Sequence, residues 1–117
     1  SLMTTNVDIK APYHIAFAGS LLGIIESASD IIFYDYWMQN SPINIQVSET
    51  QMMIQAGIGV VIATAIAGYL YYHHRNEDLR RDSFLYVTIA GLLALLVGGQ
   101  LSSIITMIGA IICYRRY

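Results

Sequence analysis

Ile24-Ile25-Glu26-Ser27-Ala28-Ser29-Asp30-Ile31-Ile32-Phe33-Tyr34-Asp35-Tyr36-Trp37 places three carboxylates at one end of a run that is otherwise apolar enough to span a membrane. At helical spacing Gly19, Gly23, Glu26, Ser27, Asp30 and Tyr34 share one face, while Leu21, Leu22, Ile24, Ile25, Ile32 and Phe33 cover the others. A carboxylate at mid-bilayer costs roughly 2.5 to 3.5 kcal/mol on insertion scales, so this stripe must face protein, water, a cation or the headgroup region. The rest of the chain is expected to pack around it.

Composition narrows the class. Of 117 residues, 56% are hydrophobic and 12% charged, about half the charged share of a soluble domain. Mean hydropathy is +0.53. The expectation is an all-α protein, an integral membrane four-helix bundle that uses residues 1–117 as a single domain. A net charge of −2 with six lysines and arginines provides no basic footprint for nucleic acid. The lone cysteine, Cys113, lies in an apolar run and can build neither a disulfide framework nor a thiolate metal site within one chain.

Four spans are expected, at about 12–36, 50–72, 83–98 and 101–114. Before the first lies a polar arm, in which Met3 reads as a native start. Pro12 suits a first helical turn, and Tyr34, Tyr36 and Trp37 form an interfacial belt in which Asp35 is included as an outer contact. Residues 38–49 lack lysine and arginine and contain Asn40-Ser41-Pro42, which reads as an external loop, with Ser48 or Thr50 capping the next helix. Gln51 and Gln55 fall at the level of Asp35 and Glu49.

Small residues mark the faces on which the helices meet: Gly19 and Gly23, then Ala56, Gly59, Ala63 and Ala67, then Gly91, Ala94 and Gly98. On the last span the same face is Ser102, Thr106, Gly109 and Cys113. Gly98-Gly99-Gln100 breaks the final apolar run in two. All basic residues lie in the N-terminal arm, the turn at residues 73–82 or the C-terminal tail. The positive-inside rule then places both termini in the cytoplasm of a multi-pass cell-membrane protein.

Candidate chemistry is sparse. Glu26 and Asp30, four residues apart on one helix face, form an intramembrane acidic site able to hold a proton, a cationic substrate or a metal. The competing reading makes Glu26 a hydrogen-bonding pin to a neighbouring helix or subunit, with Asp30 already at the interface. His73-His74 is a candidate pair for copper or zinc, but adjacent histidines face different sides of a helix, and a solvated helix end is the plainer reading. His14 falls at the opposite membrane face from Asp30, about 24 Å away at ~1.5 Å per residue. Phosphate loops, nucleophile elbows and zinc helices are missing from the sequence.

Two resemblances supply functional expectations. Size and a single glutamate in the first span are similar to small multidrug transporters, which implies a proton-coupled carrier of cationic substrates using Glu26. The aromatic motif of that family's third helix is missing here. Asp30-Ile31-Ile32-Phe33-Tyr34-Asp35-Tyr36-Trp37, with Ser41, Gln51, Met52, Met53 and Gly57, resembles the first hairpin of the archaeal ammonia monooxygenase A subunit. The chain is too short to be that subunit and lacks its histidine-bearing copper sites. The resemblance therefore implies a small accessory, non-catalytic subunit of such a copper membrane monooxygenase. No cofactor is expected in this chain, and copper would belong to partner subunits. Expected partners are membrane lipid and other membrane subunits or further copies of the chain.

Overall fold

Long apolar runs fold here as helices, the conformation that satisfies backbone N–H and C=O groups within one segment. A computed structural model describes residues 10–40 and 49–116, with the side chains of residues 37, 38, 40 and 49 outside that description. Five helices follow in order: α1 Lys10–Ile32, α2 Tyr34–Asn40, α3 Glu49–Arg75, α4 Arg81–Leu96 and α5 Ser103–Arg116. The protein is all-α, with no strand among the described residues. Helices α1 and α3 are long and apolar enough to cross a membrane.

Several boundaries differ from those read in the sequence. The first run does not continue unbroken to residue 36: it stops at Ile32, turns at Phe33, whose N–H still reaches Ser29 O at 2.8 Å, and resumes as α2. Helix α3 carries His73 and His74 in its last turn, so the charged connection begins only at Asn76. Thr50 lies inside α3 rather than capping it, and Ser48 is outside the described residues, as are residues 1–9 and 41–47. Helix α5 starts two residues later than expected and runs on to Arg116.

The helices pack antiparallel, with α1 between α3 and α5, α4 against α5, and α4 more lightly against α3. Glycine sets the closest approaches. A Cβ on Gly109 would collide with Ala16 N and lie 2.6 Å from Pro12 O, and one on Gly19 would lie 2.5 Å from Thr106 N. The obstruction is backbone in both cases, so α1 and α5 can meet this closely only where one of the two carries glycine. Gly91 plays the same part against Met107 of the facing helix, at 2.7 Å from Cγ.

The exterior is more apolar than that of a water-soluble domain, and the contacts inside are rich in small and polar residues. Inside lie Ala16, Ala63, Ala94 and Ala110 together with Ser20, Ser27, Gln100, Ser103 and Thr106. Outside lie Leu21, Leu22, Ile25, Leu85, Leu92, Leu96, Ile104, Ile108 and Ile111, with Ile25 and Leu96 64% and 70% exposed. Large apolar side chains are buried together mainly near the α3–α4 connection, where Tyr13, Leu70, Leu79, Phe84 and Val87 form a cluster with Cys113.

Candidate functional site

The α4–α5 connection is where polar groups gather. Helix α4 ends in an apolar run, and Gly99, with φ of +62°, supplies the left-handed residue that turns the chain; Gln100 N–H then returns to Ala94 O at 3.1 Å. This turn does not project away from the molecule. It lies against the middle of α1 and the first half of α3, where a Cβ on Gly98 would come 3.1 Å from Gly59 Cα.

Gln100 is the centre of the arrangement. Its side chain is 1% exposed, and Nε2 donates to Gly23 O (2.9 Å), Ser27 Oγ (2.8 Å) and Gly59 O (3.1 Å). One amide thereby links α1, α3 and the α4–α5 turn. The backbone carbonyl of Gln100 accepts from Ser103 Oγ at 2.6 Å. Room for the amide comes from glycine: a Cβ on Gly23 would lie 2.5 Å from Gln100 Oε1, and one on Gly59 would lie 3.1 Å from Nε2 and 2.5 Å from Ser27 Oγ.

Glu26 completes the turn from the α1 side. Its carboxylate accepts from Leu101 N (3.0 Å), Ser102 N (2.8 Å) and Ser102 Oγ (2.7 Å). These amides precede and open α5, where donors have no carbonyl of their own helix to reach, so a carboxylate from another helix acts as the cap. Negative charge there also faces the positive end of the α5 dipole.

Asp30 is not part of this site. It is half-buried one turn further along α1 and makes no hydrogen bond among the described residues. The pairing of Glu26 with Asp30 is thus a shared helix face on which only Glu26 has protein donors. Tyr34 is half-buried and Asp35 and Tyr36 are exposed on α2; the side chain of Trp37 lies outside the described residues. Gly19, Gly23, Gly59, Ala63, Gly91 and Gly109 are all buried at helix contacts.

The histidines take local roles. His14 Nδ1 lies 2.6 Å from Lys10 O, His73 Nδ1 lies 2.6 Å from Asp78 Oδ1, and the His74 ring stacks on Tyr13 at 4.3 Å. No group of three or more His, Cys, Asp or Glu able to hold a metal occurs among the described residues.

Gln100 was not singled out from the sequence, where it served only as part of a helix break. The available signal was a lone primary amide between two apolar helices, beside two glycines, in a chain whose four other glutamines, Gln39, Gln46, Gln51 and Gln55, cluster around the first connection. No family model, curated protein or solved structure matches this chain.

Proposed function

We propose that this chain is a small, non-catalytic integral membrane subunit of a larger membrane assembly, with α1, α3, α4 and α5 crossing the bilayer and both termini in the cytoplasm. The observation that carries this reading is the apolar exterior: leucine and isoleucine side chains cover the outer faces of α1, α4 and α5 while serines, Thr106 and Gln100 lie inside, an arrangement that suits apolar surroundings. Helices α4 and α5, at 16 and 14 residues, are about 24 and 21 Å long, so local thinning or their arginine-bearing ends accommodate a ~30 Å core.

A partner is favoured by what the α4–α5 turn leaves bare. The turn reaches Gln55 of α3 and Glu26 of α1, and beyond those levels both helices continue without α4 or α5 beside them. The exposed surface there includes Ile32, Phe33, Tyr36 and Ile54, each more than half exposed. Ile32, Phe33 and Tyr36 of this surface belong to the stretch that resembles the ammonia monooxygenase hairpin. A copper membrane monooxygenase of the ammonia or methane type is therefore our proposed host assembly, with copper in the partner subunits. The engagement of Glu26 by three donors of the α4–α5 turn weighs against the proton-coupled carrier, which needs that carboxylate free to exchange protons with substrate.

Gentle solubilisation of native membranes followed by affinity capture of the chain tests the reading. Stoichiometric recovery of copper-containing monooxygenase subunits is expected; recovery as a lone monomer, together with substrate uptake in liposomes lost in Glu26→Gln, would replace it with the carrier. Thiol labelling of cysteines placed at Asn44 and Asn76 tests the topology, since labelling of both from one side of the membrane is incompatible with four crossings.

A further inference from the structure

The α4–α5 turn shows apolar side chains to the outside and keeps its polar ones within. Leu96, Val97 and Leu101 face outward, Leu101 being 67% exposed, whereas Gln100 and Ser103 are buried and the Ser102 hydroxyl donates to Glu26. A turn that meets water is ordinarily built the other way round, from polar residues whose backbone is completed by solvent. Here every backbone N–H from Gln100 to Thr106 has an acceptor within the chain. Gln100 reaches Ala94 O, Leu101 and Ser102 reach the Glu26 carboxylate, and the next four reach the carbonyls of Gln100, Leu101 and Ser102. Backbone outside a helix persists at membrane depth only where protein satisfies it.

Hydrogen bonds to the two long helices fix the depth of the turn. Gln100 donates to Gly23 O of α1 and Gly59 O of α3. From Gly23 back to Lys10 is thirteen residues, about 20 Å, and from Gly59 on to Arg75 is sixteen, about 24 Å. The turn therefore lies closer to the basic end of the molecule than the ~30 Å depth of a hydrocarbon core. Helices α1 and α3 continue past it: Asp30 is twenty residues, about 30 Å, from Lys10, and Ile32, Phe33 and Ile54 stay more than half exposed beyond the level of the turn. A membrane placed so that the turn touched outer water would leave those three side chains outside the hydrocarbon.

We propose that the α4–α5 turn ends inside the hydrocarbon layer, roughly 6–10 Å beneath the outer headgroups, with Leu96, Val97 and Leu101 against lipid chains. Gln100 and Glu26 complete its polar groups from the protein side. This rests on the membrane reading given above and locates the shortfall of the two short helices at their outer end: α4 and α5 pass the midplane, and the outer leaflet closes over their turn.

The test is thiol labelling of the purified full chain in phosphatidylcholine liposomes, with a charged maleimide on both sides of the membrane. Single cysteines are introduced as Asn44→Cys, Asn76→Cys, Val97→Cys or Leu101→Cys in a Cys113→Ala background, and circular dichroism checks that each variant keeps its helix content. The first two should label readily. The last two should react roughly tenfold or more slowly, since a thiol in hydrocarbon neither ionises nor meets the reagent, and should recover in denaturing detergent. A bimane attached at Leu101→Cys should be quenched more by nitroxides carried along the lipid chain than by nitroxides on the headgroup. Labelling of Leu101→Cys as fast as Asn44→Cys would overturn the proposal. So would slow labelling without quenching by either lipid, which means that a second copy of the chain covers the turn. Resistance to alkaline carbonate extraction tests the membrane reading separately, so a chain that stays embedded while its turn labels freely sinks this proposal alone.

Discussion

Glu26 and Ser102 are joined twice, through the Ser102 amide at 2.8 Å and its hydroxyl at 2.7 Å, both donating to the same carboxylate oxygen. The cap on α5 is therefore supplied by a residue 76 positions earlier, on a helix running the opposite way. Glu26→Gln keeps one acceptor but replaces the other with an amide donor facing Leu101 N–H. The expected loss is about 1 kcal/mol of stability, in the range of helix caps and dipole contacts. Amide exchange should quicken at Leu101 and Ser102 while the other helices remain protected.

Gln100→Met tests the buried amide, because methionine nearly matches its length and flexibility and removes its donors. Interhelical hydrogen bonds in membranes average ~0.6 kcal/mol, so a loss of about 1–2 kcal/mol is expected from an amide that serves three acceptors with two N–H groups. Unfolding in a denaturing detergent should shift accordingly. An unchanged midpoint would show that the turn is held by Glu26 and the glycine contacts alone.

How much of this was legible in sequence depends on the kind of signal. Apolar runs and small-residue stripes located the helices and their contact faces, because burying a glycine or alanine face requires only local periodicity: Gly19, Gly23, Gly59 and Gly109 all lie where that spacing put them. The Phe33 break was hidden because residues 24–37 contain neither proline nor glycine to mark a stop. Glu26 was visible as an acid on an apolar helix, yet its partners are backbone amides, which no sequence pattern displays. Gln100 had a similar problem: its acceptors include the Gly23 and Gly59 carbonyls, recognisable only once three helices are placed together.

The glycines divide into two sets with opposite expected responses to alanine. At Gly109 the added methyl meets backbone of α1, which cannot withdraw, so Gly109→Ala should destabilise by about 1–3 kcal/mol. At Gly57 and Gly68 nothing lies within 4 Å of the new carbon, and each substitution should stabilise by up to about 1 kcal/mol through helix propensity. Thermal unfolding of the isolated chain measures both. Destabilisation at Gly57 or Gly68 only in the native assembly would instead locate a partner helix on that face of α3.

Thr106 Oγ1 is a buried side-chain oxygen with no hydrogen bond among the described residues. It lies in the α1–α5 contact, 2.6 Å from where a Gly19 Cβ would be. Exchange of the hydroxyl for a methyl removes an unsatisfied polar group without changing shape. Thr106→Val should raise stability by about 1 kcal/mol, read as a higher unfolding midpoint.

Glu77 occupies the position after α3 that usually belongs to glycine. Its φ is +56°, with Glu77 N–H donating to His74 O at 3.1 Å and Asp78 N–H to His73 O at 3.0 Å, the paired bonds of a Schellman ending. A side chain in this left-handed conformation costs roughly 1–2 kcal/mol relative to right-handed backbone, because Cβ crowds the following carbonyl. The His73–Asp78 contact spans the same two residues as the longer bond and holds the turn from outside. Glu77→Gly relieves the strain but leaves a more flexible unfolded chain, which returns part of the gain. A net rise of about 1 kcal/mol is expected, and Glu77→Asn should recover part of it, since asparagine tolerates the same conformation. Glu77→Gln, which loses the charge but keeps the strained backbone, measured in parallel separates relief of strain from loss of the carboxylate.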